Sequence, residues 1–236
     1  MFALDYALWF DVLLPGLDRI AVPMPLGGTS NHFRTAVLRA IGGWDAFNVT
    51  EDADIGIRLS QFGYRVSMLD STTFEEAPAQ ITAWLRQRSR WLKGYMQTWL
   101  VHVRRPARLA RRAGWRGFFA FQLFLGGALV CALVNPLLWG AFFAAIILHW
   151  PLFPGLEDTL FLYVPAGGLV GTNLVLTWLA VIGPRRRGWN ELSPYGLTVV
   201  FYWALVSLAG YRALWQLVTN PFFWEKTMHG ASARKP

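Results

Sequence analysis

From Gly117 to Leu156 the chain carries no Asp, Glu, Lys or Arg. A charge-free apolar run of that length suits a lipid bilayer better than a water-soluble core. One straight span needs about 20 residues, so the run is too long for a single upright crossing. Asn135-Pro136 is the natural break, because proline cannot donate its backbone N–H to a helix. This reading makes the first segment interfacial or tilted and puts the crossing at about residues 134–150. A second apolar stretch, residues 160–182, follows Glu157-Asp158 and returns to Arg185–Arg187. Arg104–Arg116 contains six arginines, the composition of a cytoplasmic juxtamembrane flank.

A third stretch, Tyr195–Val218, is either interfacial or spanning. Arg212 and Gln216 are four residues apart and share one helical face, which is costly deep in lipid. Two crossings also return the tail, with Arg234 and Lys235, to the cytoplasm. The interfacial reading is favoured on both counts.

The composition agrees. Of 236 residues, 54% are hydrophobic, thirteen are Trp and only 15% are charged. That is too apolar and aromatic for an ordinary soluble domain. Charge is uneven: residues 1–103 hold 9 Lys/Arg and 10 Asp/Glu, net −1, whereas residues 104–236 hold 13 and 4, net +9. The basic residues flank apolar runs, so they read as membrane topology and not as a nucleic-acid surface. A single cysteine, Cys131, excludes an internal disulfide. The N-terminus has no basic segment ahead of an apolar stretch, so no cleavable signal is expected.

Residues 1–103 read as soluble α/β. Phe2–Leu14 is amphipathic and should stop at Pro15-Gly16. Pro23–Ser30 is a loop or short strand. Asn31–Ile41 has helical spacing and ends at Gly42-Gly43. Asp52–Phe62 places Ile55, Leu59 and Phe62 on one face and ends at Gly63. Arg65–Leu69 alternates like a strand. After Pro78, a long helix over about 79–103 carries Trp84, Trp91 and Trp99 near one stripe, as an interfacial helix does.

Two strings can carry chemistry. Thr50-Glu51-Asp52 puts carboxylates in a first helical turn, where backbone N–H groups and the helix dipole should keep Asp52 ionised. The bland alternative is an N-cap with acidic first-turn residues. Gln87, Arg90 and Trp91 are spaced i, i+3, i+4 and share a helix face. Arginine grips a diphosphate in a fork, and an indole is a platform for a sugar ring. The alternative here is an interfacial helix with snorkelling arginines and an anchoring Trp. Asp52 and Asp54 spell D-x-D, but residues two apart on a helix diverge by about 200°. They should not share a metal, and no zinc-ligand spacing occurs elsewhere.

Together, V-T-E-D-A-D-I-G-I-R-L and Q-R-S-R-W, followed by membrane segments, resemble the acceptor half of processive-type family 2 glycosyltransferases such as bacterial cellulose synthase. The resemblance covers nearly the whole chain. It implies Asp52 as general base for inverting glycosyl transfer, with Glu51, Gly28, Ser30 and Trp91 on the acceptor. It implies Gln87, Arg88 and Arg90 on the diphosphate. Leu26–Ser30, L-G-G-T-S, is similar to the family's acceptor-end loop but lacks its aromatic and Cys. Pro221–Gly230 looks like the family's gating loop, with Trp224, Lys226, Thr227 and His229 meeting the nucleotide.

The resemblance further implies a nucleotide-sugar donor, a growing β-linked glycan as acceptor, and Mg²⁺ or Mn²⁺ in the full-length enzyme. The family's metal-binding D-x-D lies earlier than anything in this sequence. The chain is therefore expected to be the C-terminal portion of a longer GT-A enzyme, or one half of a split one, inactive alone. The expected location is a bacterial inner membrane, with the catalytic region and C-terminus cytoplasmic. The competing readings are a non-catalytic membrane subunit that kept the fold, and a small transporter or scaffold.

Overall fold

The structure, a computed structural model, describes residues 1–148 and 159–225. The chain forms two compact units, Met1–Val12 with Val130–Ser207, and Leu13–Leu129 with Leu208–Pro236.

In the first unit, α1 (Phe2–Leu8) packs on α8 (Thr159–Ile182) and on the 3₁₀ turn Gly183–Arg187 that follows it. Asp11 pairs with Arg187, and Arg186 Nη1 donates to the Asp11 carbonyl at 3.0 Å. A second 3₁₀ stretch, Asn190–Thr198, packs on α8 at Gly196 and leads into α9 (Val199–Thr219).

In the second unit, α2 (Leu14–Arg19) and α3 (Thr35–Ala40) precede α4 (Glu51–Gln61), α5 (Ile81–Val103) and α6 (Pro106–Phe121). Ile57 of α4, Leu109 and Phe121 of α6, and Leu125 form a core packed against Tyr95, Trp99 and Val103 of α5. Burying such side chains contributes about 1.5–3 kcal/mol each. Arg58 ties α3 to α4: it donates to the carbonyls of Ile41 (3.0 Å) and Gly43 (2.6 Å) while pairing with Asp54 (2.6 Å). The α3 and α4 ends fall at left-handed Gly42, Gly43 and Gly63, as the sequence predicts.

Three expectations are corrected. Among the described residues there is no strand, so the α/β and half GT-A expectation for residues 1–103 is not met there. Arg65–Leu69 runs without a ladder partner; the Met68 N–H donates to the Asp18 carboxylate at 2.8 Å, and Arg65 pairs with the same group. The helix does not stop at Pro15-Gly16. It passes through a π turn, Trp9–Leu13, into α2; Pro15 has no N–H to give the preceding turn, and the Asp11 carbonyl accepts from Arg186 Nη1 instead. Nor does Asn135-Pro136 break the apolar run. α7 (Gly127–Leu148) continues through Pro136, because in apolar surroundings the remaining backbone groups have no better partner than the helix. The real kink is at Gly114 (φ 71°, ψ 165°) inside α6, a conformation that favours glycine.

Pro106–Ala144, Ala166–Arg187 and Asn190–Thr219 are each long and apolar enough to cross a membrane.

Candidate active site

The site is built where α4 begins. Thr50 precedes α4 but its hydroxyl makes no cap bond. The Asp52 carboxylate instead accepts the Ala53 N–H at 2.8 Å. The Thr50 N–H donates to Asn48 Oδ1 (3.0 Å), Asn48 donates to Thr98 Oγ1 (2.8 Å), and the Val49 N–H donates to Gln97 Oε1 (3.1 Å). The T-E-D turn is thus stitched to α5.

Gly94 makes that approach possible. A Cβ built on it would lie 2.6 Å from Thr50 Cβ, so only glycine lets α5 come this close. On the other side of Asp52 stands the Gly27–Ser30 loop. A Cβ on Gly28 would sit 3.0 Å from Asp52 Oδ2, so bare backbone borders the carboxylate. Further along α4, Gly56 allows the same close approach by Met24 and Leu26. The loop is tied down at Thr29 to Glu75 and at Ser30 to Thr73 Oγ1 (2.7 Å).

Electrostatics set Asp52 apart. Burial pushes its carboxyl up to about 6, with the Glu51 charge adding to the rise; the Ala53 N–H and the Arg90 guanidinium oppose it. The N–H groups of the helix start do not set the Asp52 pKa alone: desolvation outweighs them. A base with that pKa is mostly ionised at pH 7 and still basic enough to take a proton. If Asp52 is the base of a transfer reaction, the kcat/KM of transfer should be flat above about pH 7. Below about pH 6 it should fall about tenfold per unit as Asp52 protonates, so a pH–rate profile checks this directly. A profile flat to pH 5 would mean Asp52 is not the group that must be ionised.

Arg90 is the partner across the gap. Burial lowers its pKa, while the charges of Glu51, Asp52 and Glu225 push it back up. Its guanidinium lies over the Trp224 ring at 5.2 Å, and its buried Nε has no hydrogen-bond partner among the described residues. Gln87, 7% exposed, stands one turn earlier with Oε1 likewise unpartnered among the described residues. Arg88 is turned away: its guanidinium lies over Trp84 (5.6 Å) and Trp91 (5.1 Å) on another side of α5. Glu51 is exposed beside Asp52. Ser30 is exposed with φ 58°. Lys226, Thr227 and His229 lie outside the described residues.

Asp54 is occupied otherwise. Burial alone would raise its carboxyl, but hydrogen bonds and charge from His102 (2.9 Å) and Arg58 hold it below the usual range. Among the described residues no three His, Cys, Asp or Glu side chains converge as a metal site.

Sequence reading missed Arg86, Lys93 and Gln97. With Arg90 they fall at i, i+4, i+7 and i+11, one polar stripe on a Trp-rich helix. That stripe receives Asn220–Glu225: Lys93 Nζ donates to the Phe223 carbonyl at 2.6 Å, Gln97 to the Pro221 carbonyl at 2.9 Å, and Arg86 pairs with Glu225 at 3.6 Å. Arg212 and Gln216 do share a face, and both reach Glu225, at 3.0 and 3.4 Å.

The chain is similar in sequence to several known proteins. The probable glycosyltransferase YdaM of Bacillus subtilis is 29% identical over 108 residues, covering 44% of this chain and 26% of that protein. The beta-monoglucosyldiacylglycerol synthase of Synechocystis sp. is 26% identical over 221 residues, covering 88% of this chain and 43% of that protein. The probable glucomannan 4-beta-mannosyltransferase 1 of Arabidopsis thaliana is 32% identical over 68 residues, covering 28% and 12%. The chain spans less than half the length of each of these relatives. No solved structure matches it. Residues 17–228, a stretch that includes Asp52, Arg90 and Trp224, match the family described as glycosyl transferase family group 2, and the chain belongs to that family.

Proposed function

We propose that this chain supplies the acceptor-side and membrane portion of an inverting glycosyltransferase that uses a nucleotide-sugar donor. The observation that carries the reading is the interlock of Gly94 with Thr50, which brings the Asp52 carboxylate and the Arg90 guanidinium into each other's field. In one displacement, the acceptor oxygen bonds to the anomeric carbon as the bond from that carbon to the diphosphate oxygen breaks. The acceptor's proton goes to Asp52. The bonding electron pair leaves on the diphosphate, where Arg90 and Gln87 meet the growing charge. Trp91 is given no part in this step, because its ring carries the Arg88 guanidinium (5.1 Å) on another side of α5. Gly28 lets acceptor hydroxyls approach Asp52 over bare backbone.

The acceptor proposed first is a growing β-linked glycan. A second reading, a diacylglycerol-type lipid acceptor, is favoured by the Synechocystis relative, whose match covers 88% of this chain. Incubating the full-length gene product in native membranes with a panel of radiolabelled nucleotide-sugars separates them. Label in insoluble glycan supports the first, and label extracted into chloroform–methanol supports the second. No incorporation from any donor removes both.

Topology follows from parity. Lys93 on α5 bonds directly to Phe223 and Asn220, which fits an even number of crossings between them. Of the three candidate spans, α9 is the one with Arg212 and Gln216 on a face, so the reading takes α7 and α8 as the crossings, with α9 in the interface and the tail on the side of α5. Single cysteines at Arg186 and at Asn220, in a Cys131→Ala background, should both escape an impermeant thiol reagent added outside intact cells. Labelling at Asn220 alone would mean that α9 crosses.

A further inference from the structure

Lys93 is fully buried, at 0% exposure, an unusual place for an ammonium group. A lysine on an interfacial helix normally runs its stem along apolar surface and ends in water. Here Nζ ends on backbone carbonyls instead, Phe223 at 2.6 Å and Asn220 at 3.4 Å. One turn further along α5, Gln97 Nε2 takes the Pro221 carbonyl at 2.9 Å. These carbonyls directly follow Thr219, the last residue of α9, where the helix dipole is negative and favours a cation.

The residue after Phe223 is Trp224, and its ring lies under the Arg90 guanidinium. The residue after that, Glu225, is fixed by Arg212 (3.0 Å), Gln216 (3.4 Å) and Arg86 (3.6 Å). Trp224 is therefore clamped from both sides along the chain. Stacking uses the flat face of a guanidinium and leaves its N–H edge for hydrogen bonds. The Arg90 Nε is buried and unpartnered among the described residues, so its N–H is left unsatisfied by them.

We propose that Lys93 and Gln97 are positioning residues for Arg90, acting through the Asn220–Phe223 backbone and the indole of Trp224. The clamp on Trp224 sets the plane of Arg90 and aims its N–H edge at the diphosphate oxygens of the donor. Trp224 is thus a buttress for an arginine and not a platform for the base. This rests on the reading that Arg90 meets the leaving diphosphate.

The test uses full-length protein in native membranes, with the donor that the nucleotide-sugar panel identifies. Lys93→Met keeps the volume and removes the charge. It should lower kcat by about 10²-fold, the cost of misplacing a catalytic contact by about an ångström, with donor KM nearly unchanged because the contact acts in the transition state. Lys93→Arg should restore most of the loss. Trypsin should cut after Lys226 faster in Lys93→Met than in wild type or Lys93→Arg. If Lys93→Met does not accumulate in membranes, Glu225→Gln loosens the other side of the clamp and should lower kcat about tenfold. Wild-type kcat in Lys93→Met despite faster cleavage, or in Glu225→Gln, would overturn the proposal. Arg90→Lys separates the two levels. Wild-type turnover there removes the underlying diphosphate reading, whereas a severe loss there beside a silent Lys93→Met removes only the positioning role.

Discussion

Asp52→Asn lowers sugar transfer by about 10²–10⁴-fold, the usual contribution of a positioned general base. The fold should not suffer. Asparagine keeps an oxygen for the Ala53 N–H that the carboxylate accepts at 2.8 Å. It also removes a charge that the folded chain holds at a disadvantage. The carboxyl ionises near 3.8 when unperturbed and at about 6 in the site. A group whose folded pKa is raised loses stability as pH climbs between those two values. At pH 7 the asparagine variant should therefore be as stable as wild type, or more so by on the order of 1–3 kcal/mol. Thermal unfolding in detergent at pH 7 and at about pH 3 checks this, since the gain must shrink as pH falls and vanish below the unfolded value of 3.8. Loss of activity with loss of stability at both pH values would make Asp52 a structural residue.

Gly94→Ala reverses the ordinary rule for helices. In an open helix interior, alanine in place of glycine gains about 1 kcal/mol. At Gly94 the new Cβ would lie 2.5 Å from Thr50 Cγ2 and 2.6 Å from Thr50 Cβ. Thr50 is β-branched, buried, and fixed by Asn48, so it cannot swing aside. Overpacking of this kind costs about 1–3 kcal/mol. It also pushes Arg90 away from Asp52, and a shift of about an ångström is worth roughly 10²-fold in turnover. Gly140→Ala in α7, where nothing lies within 4 Å, should be neutral or stabilising. Thr50→Ala in the Gly94→Ala background should recover some of both losses. An active, stable Gly94→Ala protein would mean that the two helices are not locked here.

Much of this was legible in the sequence because it is local. The 3.6-residue period of α4 and α5, and the glycines that end α3 and α4, are short-range signals. The same holds for the divergence of Asp52 and Asp54, which the structure gives different partners. What was not legible depends on segments distant in the chain. Arg65–Leu69 alternates like a strand, but a strand exists only with a ladder, and Asp18 takes the Met68 N–H instead. Arg88 belongs to the same motif as Arg90, yet two residues along a helix turn it by about 200°, onto Trp84 and Trp91. Lys93 and Glu225 gave no sequence signal of their own. Their roles need α5 and the tail, more than a hundred residues apart in sequence, to meet.

The central claim is that Asp52 acts as a base in a single displacement whose leaving group is met by Arg90. The most direct measurement is the configuration of the new linkage, read by proton NMR on product formed early in the reaction from a donor of known anomeric configuration. A single displacement predicts inversion, a β linkage from an α-linked donor, with no sugar attached to the intact protein by mass spectrometry. Retention of configuration, or a glycosyl adduct on Asp52, would make that carboxylate a nucleophile and contradict the account.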